Sequence, residues 1–231
     1  MSTLILIPAR LGSKGVIRKN VKNLGDKPLI SYSIEFSIKI KKSGDVICIS
    51  SNDNDVFQIT QQYTNVVSLF RPEELASDTS GMNDVLIHGL AHFEKQGIVF
   101  DKLLLLQPTS PFRDKSDYLM MEKLLEQNTD MVVSVSESKA NPYFNLFEED
   151  LNGFLKKSKE GKFKRRQDCP RTYEYNGSMY LVRTEKLKKY GLHGVINIKK
   201  YEMPFEKSVD IDTELDWLIA ENILKIKENA L

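Results

Sequence analysis

The sequence predicts an α/β protein built on a doubly wound, mostly parallel sheet. Two observations lead to this fold class: short apolar runs recur along the chain, and stretches with helical spacing separate them. Each run is too short for a buried helix and too continuous for a strand with one face in water, so we expect helices on both faces. The predicted strands are residues 4–7, 46–49, 103–106 and 131–135.

Three helices are predicted between these strands, which gives right-handed βαβ units. Residues 28–41 carry isoleucines four apart, and Pro28 suits the first position of a helix. Residues 82–96 place apolar side chains on one face, and Gly97 suits the end of that helix. Residues 115–127 repeat this pattern less clearly.

A fourth helix is predicted at residues 214–228. Thr213 and Asp216 have the spacing of a capping box at its start, with Asp in place of the usual Glu or Gln. The spacing also predicts one shared apolar face. Its members are Leu215, Leu218, Ile219, Ile223 and Ile226.

The alternation of strands and helices breaks after Val135. Residues 137–175 are polar, are punctuated by prolines and glycines, and include a basic run at 156–166. We predict an inserted region here, with two short strands, that projects from a core formed by residues 1–136 and 176–231. Apart from Phe163, the basic run lacks interleaved aromatic residues, and it is interpreted as a solvated surface.

Length and composition exclude several classes of protein. The chain has 231 residues, 41% hydrophobic and 28% charged, which suits one large domain. Its 33 basic and 32 acidic residues give a net charge of +1, so net charge supports neither a nucleic-acid partner nor a membrane partner. No apolar run approaches the about 20 residues of a membrane helix. Two cysteines are too few for a disulfide framework, and we expect a reduced, cytoplasmic protein.

The loop after the first predicted strand, residues 8–20, combines glycines with positive charge. Its cations include Arg10, Lys14 and Lys19. In open α/β sheets, ligands bind beyond the carboxyl ends of the strands. Backbone N–H groups and cations at such a place suit a polyphosphate, although a solvated basic loop with turn glycines has the same composition.

Two aspartates precede the last predicted helix. Asp210 and Asp212 are two residues apart, so their side chains point to the same side of an extended segment. Two carboxylates on one side can hold Mg²⁺, which prefers oxygen ligands and keeps several waters. The alternative is that Asp212 only caps the helix and Asp210 is an exposed strand residue. A polyphosphate-binding loop elsewhere in the chain favours the interpretation of these aspartates as a metal site.

Two further segments have the composition of ligand-binding loops. Residues 103–113, LLLLQPTSPFR, place Gln107 and neighbouring hydroxyl groups between two prolines at the end of a buried strand. A stiff polar loop can present fixed hydrogen-bonding groups to a hydroxyl-rich ligand, but an ordinary strand-to-helix turn looks the same. Residues 71–81, RPEELASDTSG, are open to the same two interpretations.

Five segments together resemble one family in the same order. They are PARLGSKGVIRKN, RPEELASDTS, LLQPTSPFR, RRQDCPRTYEYNGSMY and SVDIDTELDWLIAENIL, and they span residues 8 to 224. The chain resembles the CMP-sialic acid synthetases (acylneuraminate cytidylyltransferases) and their legionaminate- and pseudaminate-activating relatives. The resemblance implies a Rossmann-like nucleotidyltransferase fold in which the inserted region makes a homodimer. It implies transfer of CMP from CTP to a nine-carbon 2-keto acid, with release of pyrophosphate.

The same resemblance implies roles for individual residues. Those that bind the nucleotide and its triphosphate are Arg10, Ser13, Lys14, Lys19, Asn20, Arg71 and Ser80. Those that bind the sugar are Gln107, Arg166 and Asn176, with Arg166 reaching across the dimer. Asp210 and Asp212 match the DxD motif that holds Mg²⁺.

The sequence departs from the family pattern mainly where the sugar is expected. The segment after Pro142 reads Tyr-Phe-Asn where some members have a lysine close by, and Glu174 stands where some members are basic. N-acetylneuraminate is the predicted acceptor, and legionaminic, pseudaminic or deaminated acids are the alternatives. A non-catalytic nucleotide-binding module is the alternative of a different class.

The expected chemistry is in-line attack by the anomeric hydroxyl on the α-phosphorus of CTP. Catalysis should then be mainly positioning and electrostatic stabilisation. The predicted catalytic residues are Asp210, Asp212, Lys14, Lys19 and Arg10. This scheme requires the cationic loop near residue 10 and the aspartates near residue 210 to meet at one bound triphosphate.

Overall fold

The computed structural model describes residues 1–12, 15–77 and 81–229. The strands are β1 (Thr3–Pro8), β2 (Asn23–Leu24), β3 (Lys27–Pro28), β4 (Val46–Ser51), β5 (Val66–Phe70), β6 (Lys102–Leu106), β7 (Met131–Glu137), β8 (Phe147–Glu149), β9 (Leu155–Lys157), β10 (Tyr173–Arg183) and β11 (Ile198–Glu202). The helices are α1 (Leu29–Ile40), α2 (Asn54–Thr60), α3 (Glu73–Ala76), α4 (Met82–Glu94), α5 (Lys115–Leu124), α6 (Thr184–Tyr190) and α7 (Glu214–Asn229).

A central sheet of seven strands has the order β11-β7-β10-β6-β1-β4-β5. Neighbouring strands are parallel except at β10, which runs antiparallel to both β6 and β7. The four apolar runs of the sequence are β1, β4, β6 and β7. The predicted α/β class with a mostly parallel, doubly wound sheet is therefore confirmed.

Helices cover both faces of this sheet, as the unbroken apolar strands require. Leu4 and Leu6 belong to a core cluster that includes residues of α4 and α6. Ile5 and Ile7 alternate with them and pack in a second cluster with residues of α1 and α5. Because successive strand residues point to opposite faces, one apolar run supplies both layers of the core.

The helix boundaries follow local signals in the sequence. Helix α1 begins at Leu29, so Pro28 lies just before the helix as its N-cap instead of at its first position. Helix α4 ends at Glu94, and Gly97 follows with a positive φ of 78°, a conformation that suits glycine. Helix α7 begins with the predicted capping box, in which Asp216 accepts from the Thr213 backbone N–H at 2.7 Å.

The predicted apolar face of α7 is only partly the packed face. Leu215, Leu218 and Ile226 are more than half exposed. Trp217 and Ala220 are buried instead, in a cluster with residues near the start of the chain. The aliphatic pattern missed this face because it did not include Trp217. Burial of the large Trp217 ring removes much apolar area from water and so stabilises this orientation of the helix.

The inserted region contains a two-stranded antiparallel hairpin of β8 and β9. Strand β10 begins at Tyr173, earlier than the sequence predicts, and pairs there with Glu137 at the end of β7. Leu151, Phe154 and Leu155 on this hairpin are exposed. The assignment of residues 137–175 to dimerisation stays a prediction. Within the described residues, every helix is too short or too polar to cross a membrane.

We expect the sheet to be much more sensitive to truncation than the outer face of α7. Leu104 is fully buried between β1 and β10, so Leu104→Ala should lower the free energy of unfolding by about 2–5 kcal/mol. Leu218→Ala on the exposed face should change it by less than about 0.5 kcal/mol. Urea denaturation at 25 °C measures both, and equal losses would contradict the described packing of α7.

Candidate active site

The carboxyl ends of β1, β4 and β6 meet at one edge of the sheet because these strands are parallel. A cavity of about 420 Å³ opens there. Six predicted site residues from four separate parts of the chain line it: Arg10, Lys19, Asn20, Arg71, Gln107 and Asp212. The cationic loop and the aspartate segment therefore meet at one place, as the sequence analysis required.

Lys19 forms the direct link between these two segments. Its side chain is buried, and its Nζ donates to the Asp212 carboxylate at 2.9 Å and to the Ile211 carbonyl. A lysine ammonium has three donors, and these contacts use two of them. A buried cation thus lies at the wall of the cavity, with one donor that makes no bond to the described residues.

Gly15 allows the two segments to pack in contact. A Cβ atom at this position would lie 1.8 Å from the backbone oxygen of Asp212, far inside van der Waals contact. Any side chain would therefore push the loop away from the aspartates. The glycine that the sequence suggested for approach to a ligand is also required for approach to the chain itself.

Two arginines also line the cavity and add positive charge to it. The Arg71 guanidinium is buried and donates to the Ser50 carbonyl at 2.7 Å. Burial, together with the nearby charge of Arg10, lowers the pKa of Arg71 to about 10, so Arg71 stays a cation at neutral pH. Arg10 donates to the Ala76 carbonyl at 3.2 Å. Two neighbouring guanidinium groups suit an anionic ligand.

The remaining predicted nucleotide residues differ in what the structure says of them. Asn20 lines the cavity, and its amide donates to the Arg10 carbonyl at 3.1 Å, which ties the loop to itself. Ser13, Lys14 and Ser80 lie outside the described residues, so their predicted roles stay predictions.

Asp210 lies deeper than Asp212. Its carboxylate approaches Gly177, where a Cβ atom would be 3.0 Å from Asp210 Oδ2 and 3.2 Å from Gln107 Oε1. Gly177 has a positive φ of 70°, so both backbone conformation and space exclude a side chain there. Asp210 and Gln107 therefore both approach Gly177. Of the described residues, Gln107 and Asp212 line the cavity, and Asp210 lies behind this lining.

The electrostatic state of Asp210 is unusual for an aspartate. Burial raises its pKa; the Thr109 hydroxyl and the Lys19 charge oppose this shift, and the charge of Asp212 adds to it. Asp210 Oδ1 and Thr109 Oγ1 are buried, and neither has a well-formed hydrogen bond among the described residues, although the hydroxyl is close enough to act on the carboxyl. A cation beside Asp210 would stabilise its ionised carboxylate and give the buried Oδ1 a partner.

These aspartates fit a magnesium ion better than a transition metal. No group of three His, Cys, Asp or Glu side chains in the described part of the chain is placed to hold a metal. Two carboxylates from Asp210 and Asp212, completed by water and ligand oxygens, are the kind of donor set that Mg²⁺ accepts. The buried Oδ1 of Asp210, which lacks a partner within the described ranges, supports this fit.

Asn176 acts within the protein framework. Its Oδ1 accepts from the Ser134 hydroxyl at 2.7 Å, and its Nδ2 donates to the Ser208 hydroxyl at 3.0 Å. These bonds join β7 and β10 to the segment that leads to Asp210. The proposed sugar contact of Asn176 stays a prediction.

Arg166 lies elsewhere on the same chain. It lines a second cavity of about 380 Å³ between the end of β7 and the start of β10, with Asn141 and Arg171. The structure therefore does not place Arg166 in the cavity that Arg10, Gln107 and Asp212 line. The predicted sugar contact of Arg166 across a dimer stays a prediction.

Sequence reasoning missed two residues near the aspartates, a half-buried threonine and a buried arginine. Thr109 was noted only as part of a polar loop, yet its hydroxyl faces Asp210. Arg113, at the end of the same loop, is buried and binds the backbone of Gln107. The available signal was Arg113 itself. An arginine directly after an apolar run and two prolines is either exposed at the surface or buried with several hydrogen-bond partners.

The fold and the cavity together define a nucleotidyltransferase of the α/β class. A sequence model of the family described as Cytidylyltransferase matches residues 4–231, so the chain belongs to the cytidylyltransferase family and is an enzyme of that class. It is 33% identical to "Post-translational flagellin modification protein B" of Campylobacter coli, over 97% of this chain and 95% of that protein. It is 28% identical to "CMP-N,N'-diacetyllegionaminic acid synthase" of Legionella pneumophila, over the full length of both.

A solved structure supports the fold. CMP:2-keto-3-deoxy-manno-octonic acid synthetase, complexed with CTP, is similar with a TM-score of 0.70 over 98% of this chain and all of that chain. Their sequence identity is 16%, so this similarity concerns the fold alone. It confirms the predicted nucleotidyltransferase architecture.

We expect Asp210→Asn to stabilise the protein at pH 7 when metal is chelated with EDTA. Burial raises the pKa of Asp210. Above that pKa the ionised carboxylate therefore destabilises the folded state relative to the unfolded state. Below its ordinary value of 3.8 the carboxyl is protonated in both states, and the variant should lose its advantage. Thermal unfolding against pH measures this.

The exposed Asp26→Asn is the matched control, because its carboxylate is in water in both states. A lower melting temperature for Asp210→Asn than for wild type at pH 7, without metal, would contradict the described environment of Asp210.

Proposed function

We propose that this cytidylyltransferase transfers CMP from CTP to the anomeric hydroxyl of a nine-carbon 2-keto acid, a nonulosonic acid, and releases pyrophosphate. The observation that carries this proposal is the contact of Lys19 with Asp212 at the wall of the cavity. It joins a cationic, glycine-containing loop to a pair of carboxylates, which is what binding of a metal–triphosphate complex needs.

The acceptor follows from two lines of argument. The sequence pattern predicts N-acetylneuraminate, and the full-length similarity to a protein named for N,N'-diacetyllegionaminic acid favours that acid. Both are nonulosonic acids with an anomeric hydroxyl beside a carboxylate. We propose the diacetylated acid as the first acceptor to test and N-acetylneuraminate as the second.

The positive residues of the cavity would bind the triphosphate. Lys19, Arg10 and Arg71 all line it, and the predicted residues Ser13, Lys14 and Ser80 belong to the same two loops. In the transfer, the sugar oxygen bonds to the α-phosphorus as the bond to pyrophosphate breaks. Negative charge builds on the departing pyrophosphate, and fixed cations lower the barrier by stabilising it.

Asp210 and Asp212 would hold Mg²⁺. The ion supplies charge neutralisation and orientation at the phosphates. Lys19 positions Asp212, and the buried Oδ1 of Asp210 lacks a hydrogen bond to any described residue, so it is available to a cation.

The sugar would lie beside Gln107, which lines the cavity and approaches Asp210. We propose that Arg166 of a partner copy completes this part of the site in a homodimer. The exposed apolar side chains of the inserted hairpin, among them Phe154 and Leu155, provide a surface for such an interface.

Pyrophosphate release tests the function directly. Wild-type protein with CTP and Mg²⁺ is given N,N'-diacetyllegionaminic acid, N-acetylneuraminate, pseudaminic acid or a deaminated acid in turn, and the CMP-sugar is identified by mass spectrometry. We expect turnover with the first or second acid. Binding of CTP with no pyrophosphate release from any acid would reject the proposal in favour of a nucleotide-binding module.

Asp212→Asn should lower the turnover number by about 10²–10³ because it removes one fixed carboxylate from the metal. Its matched control is Glu214→Gln, a carboxylate two residues further on that pairs with Lys22 at the surface. The control should keep wild-type turnover. Equal rates for Asp212→Asn and wild type would exclude the aspartate pair from the reaction.

Subunit complementation tests the shared site. Neither Arg166→Ala nor Asp210→Asn should be active alone, but a mixed dimer would contain one site with both native residues. Random mixing makes half of the dimers mixed, so co-refolded variants should recover about a quarter of wild-type activity. A mixture of Asp210→Asn with Asp212→Asn is the control and should recover none. No recovery in the first mixture would contradict a partner's Arg166.

A further inference from the structure

Arg113 is a buried arginine that the proposed reaction does not use. It ends the loop that carries Gln107, and it is 7% exposed. Burial lowers the pKa of Arg113 to about 9, and the negative charge of Asp210 opposes that shift, so the group is a cation at neutral pH. A buried cation is expensive unless it is fully hydrogen-bonded, so its partners indicate its role.

Its hydrogen bonds join three separate elements. Nε donates to the Ser178 carbonyl at 3.1 Å and to the Ser178 hydroxyl at 3.0 Å. Nη1 donates to the Ser33 hydroxyl of α1 at 2.9 Å, and Nη2 donates to the Gln107 carbonyl. The guanidinium makes no ion pair with a carboxylate of any described residue. Each of its three nitrogens donates to a neutral carbonyl or hydroxyl oxygen, so the planar group acts as a three-way fork.

Two of these partners flank Asp210. Gln107 Oε1 and Asp210 Oδ2 both lie within 3.2 Å of the place where Gly177 would carry a Cβ atom, and Ser178 follows Gly177 directly. The third partner, Ser33, lies on α1 and outside the cavity lining. Arg113 therefore fastens the backbone on both sides of the Asp210 carboxylate to a helix of the core.

We propose that Arg113 is a positioning residue for the transfer reaction: it fixes the Gln107 backbone and the Gly177–Ser178 turn, and so sets where the acceptor and the metal lie relative to each other. This inference rests on the proposed function. Only a planar fork can bind these three partners at once, because a lysine offers one nitrogen on a flexible stem.

The first test is Arg113→Lys, which keeps the charge and loses the fork. With the acceptor that wild type uses, we expect the KM for acceptor to rise about 10-fold and kcat to fall about 10²-fold, since small displacements of positioned groups have effects of this size. The KM for CTP should change less than about 3-fold, because Arg10, Lys19 and Arg71 are not bound to Arg113. Kinetic constants equal to those of wild type would overturn the inference.

A matched pair of variants separates positioning from simple stability and does not depend on the folding of Arg113→Lys. Ser178→Ala and Ser33→Ala each remove one hydroxyl acceptor of Arg113 from a fully buried site. Both should lower the melting temperature by similar amounts. Only Ser178→Ala, directly after the Gly177 that Asp210 and Gln107 approach, should raise the KM for acceptor. Equal effects on KM, or none in either variant, would show a purely structural arginine.

A readout without acceptor keeps this inference distinct from the proposed function. The affinity for Mn²⁺ in the presence of CTP, measured by electron paramagnetic resonance, should fall about 10-fold in Arg113→Lys and stay unchanged in Ser33→Ala. If wild type turns over none of the acids, the proposed function fails, and this measurement still decides the role of Arg113. An unchanged Mn²⁺ affinity in Arg113→Lys would overturn it.

Discussion

The buried Lys19 links the beginning of the chain to its end, and the cavity depends on this link. Its Nζ bonds to the Asp212 carboxylate and the Ile211 carbonyl, across a sequence separation of more than 190 residues. Gly15 makes the same approach possible by lacking a side chain. Without these contacts, the positive loop and the aspartates would be two unrelated surface features. With them, the positive loop and Asp212 line one cavity, with Asp210 close by.

The site is polar, yet much of it is buried, and this combination explains its hydrogen bonds. Lys19, Arg71 and Arg113 are each withdrawn from water, and each donates to backbone carbonyls. Backbone carbonyls are neutral, so these contacts satisfy donors of Arg71 and Arg113 without neutralising their charge, whereas Lys19 also pairs with the Asp212 carboxylate.

Sequence reasoning predicted the features that depend on local pattern. Unbroken apolar runs identify β1, β4, β6 and β7, since only a doubly covered strand is apolar on both faces. It was less successful where packing between distant segments determines the structure. The burial of Trp217 determines the packed face of α7, and pairing with β7 determines where β10 begins. The roles of Gly15 and Arg113 depend on neighbours far away in the chain, which no local window contains.

The long sequence separation of the Lys19–Asp212 contact also has a consequence for biosynthesis. A ribosome releases the basic loop of residues 8–20 long before the aspartate segment. A nascent chain can form most of the parallel sheet, but the cavity wall that Asp212 provides is missing until residues 210–212 emerge. The cavity should therefore be complete only after this segment has left the ribosome, and fragments shortened before Asp210 by proteolysis should fold in part without completing it.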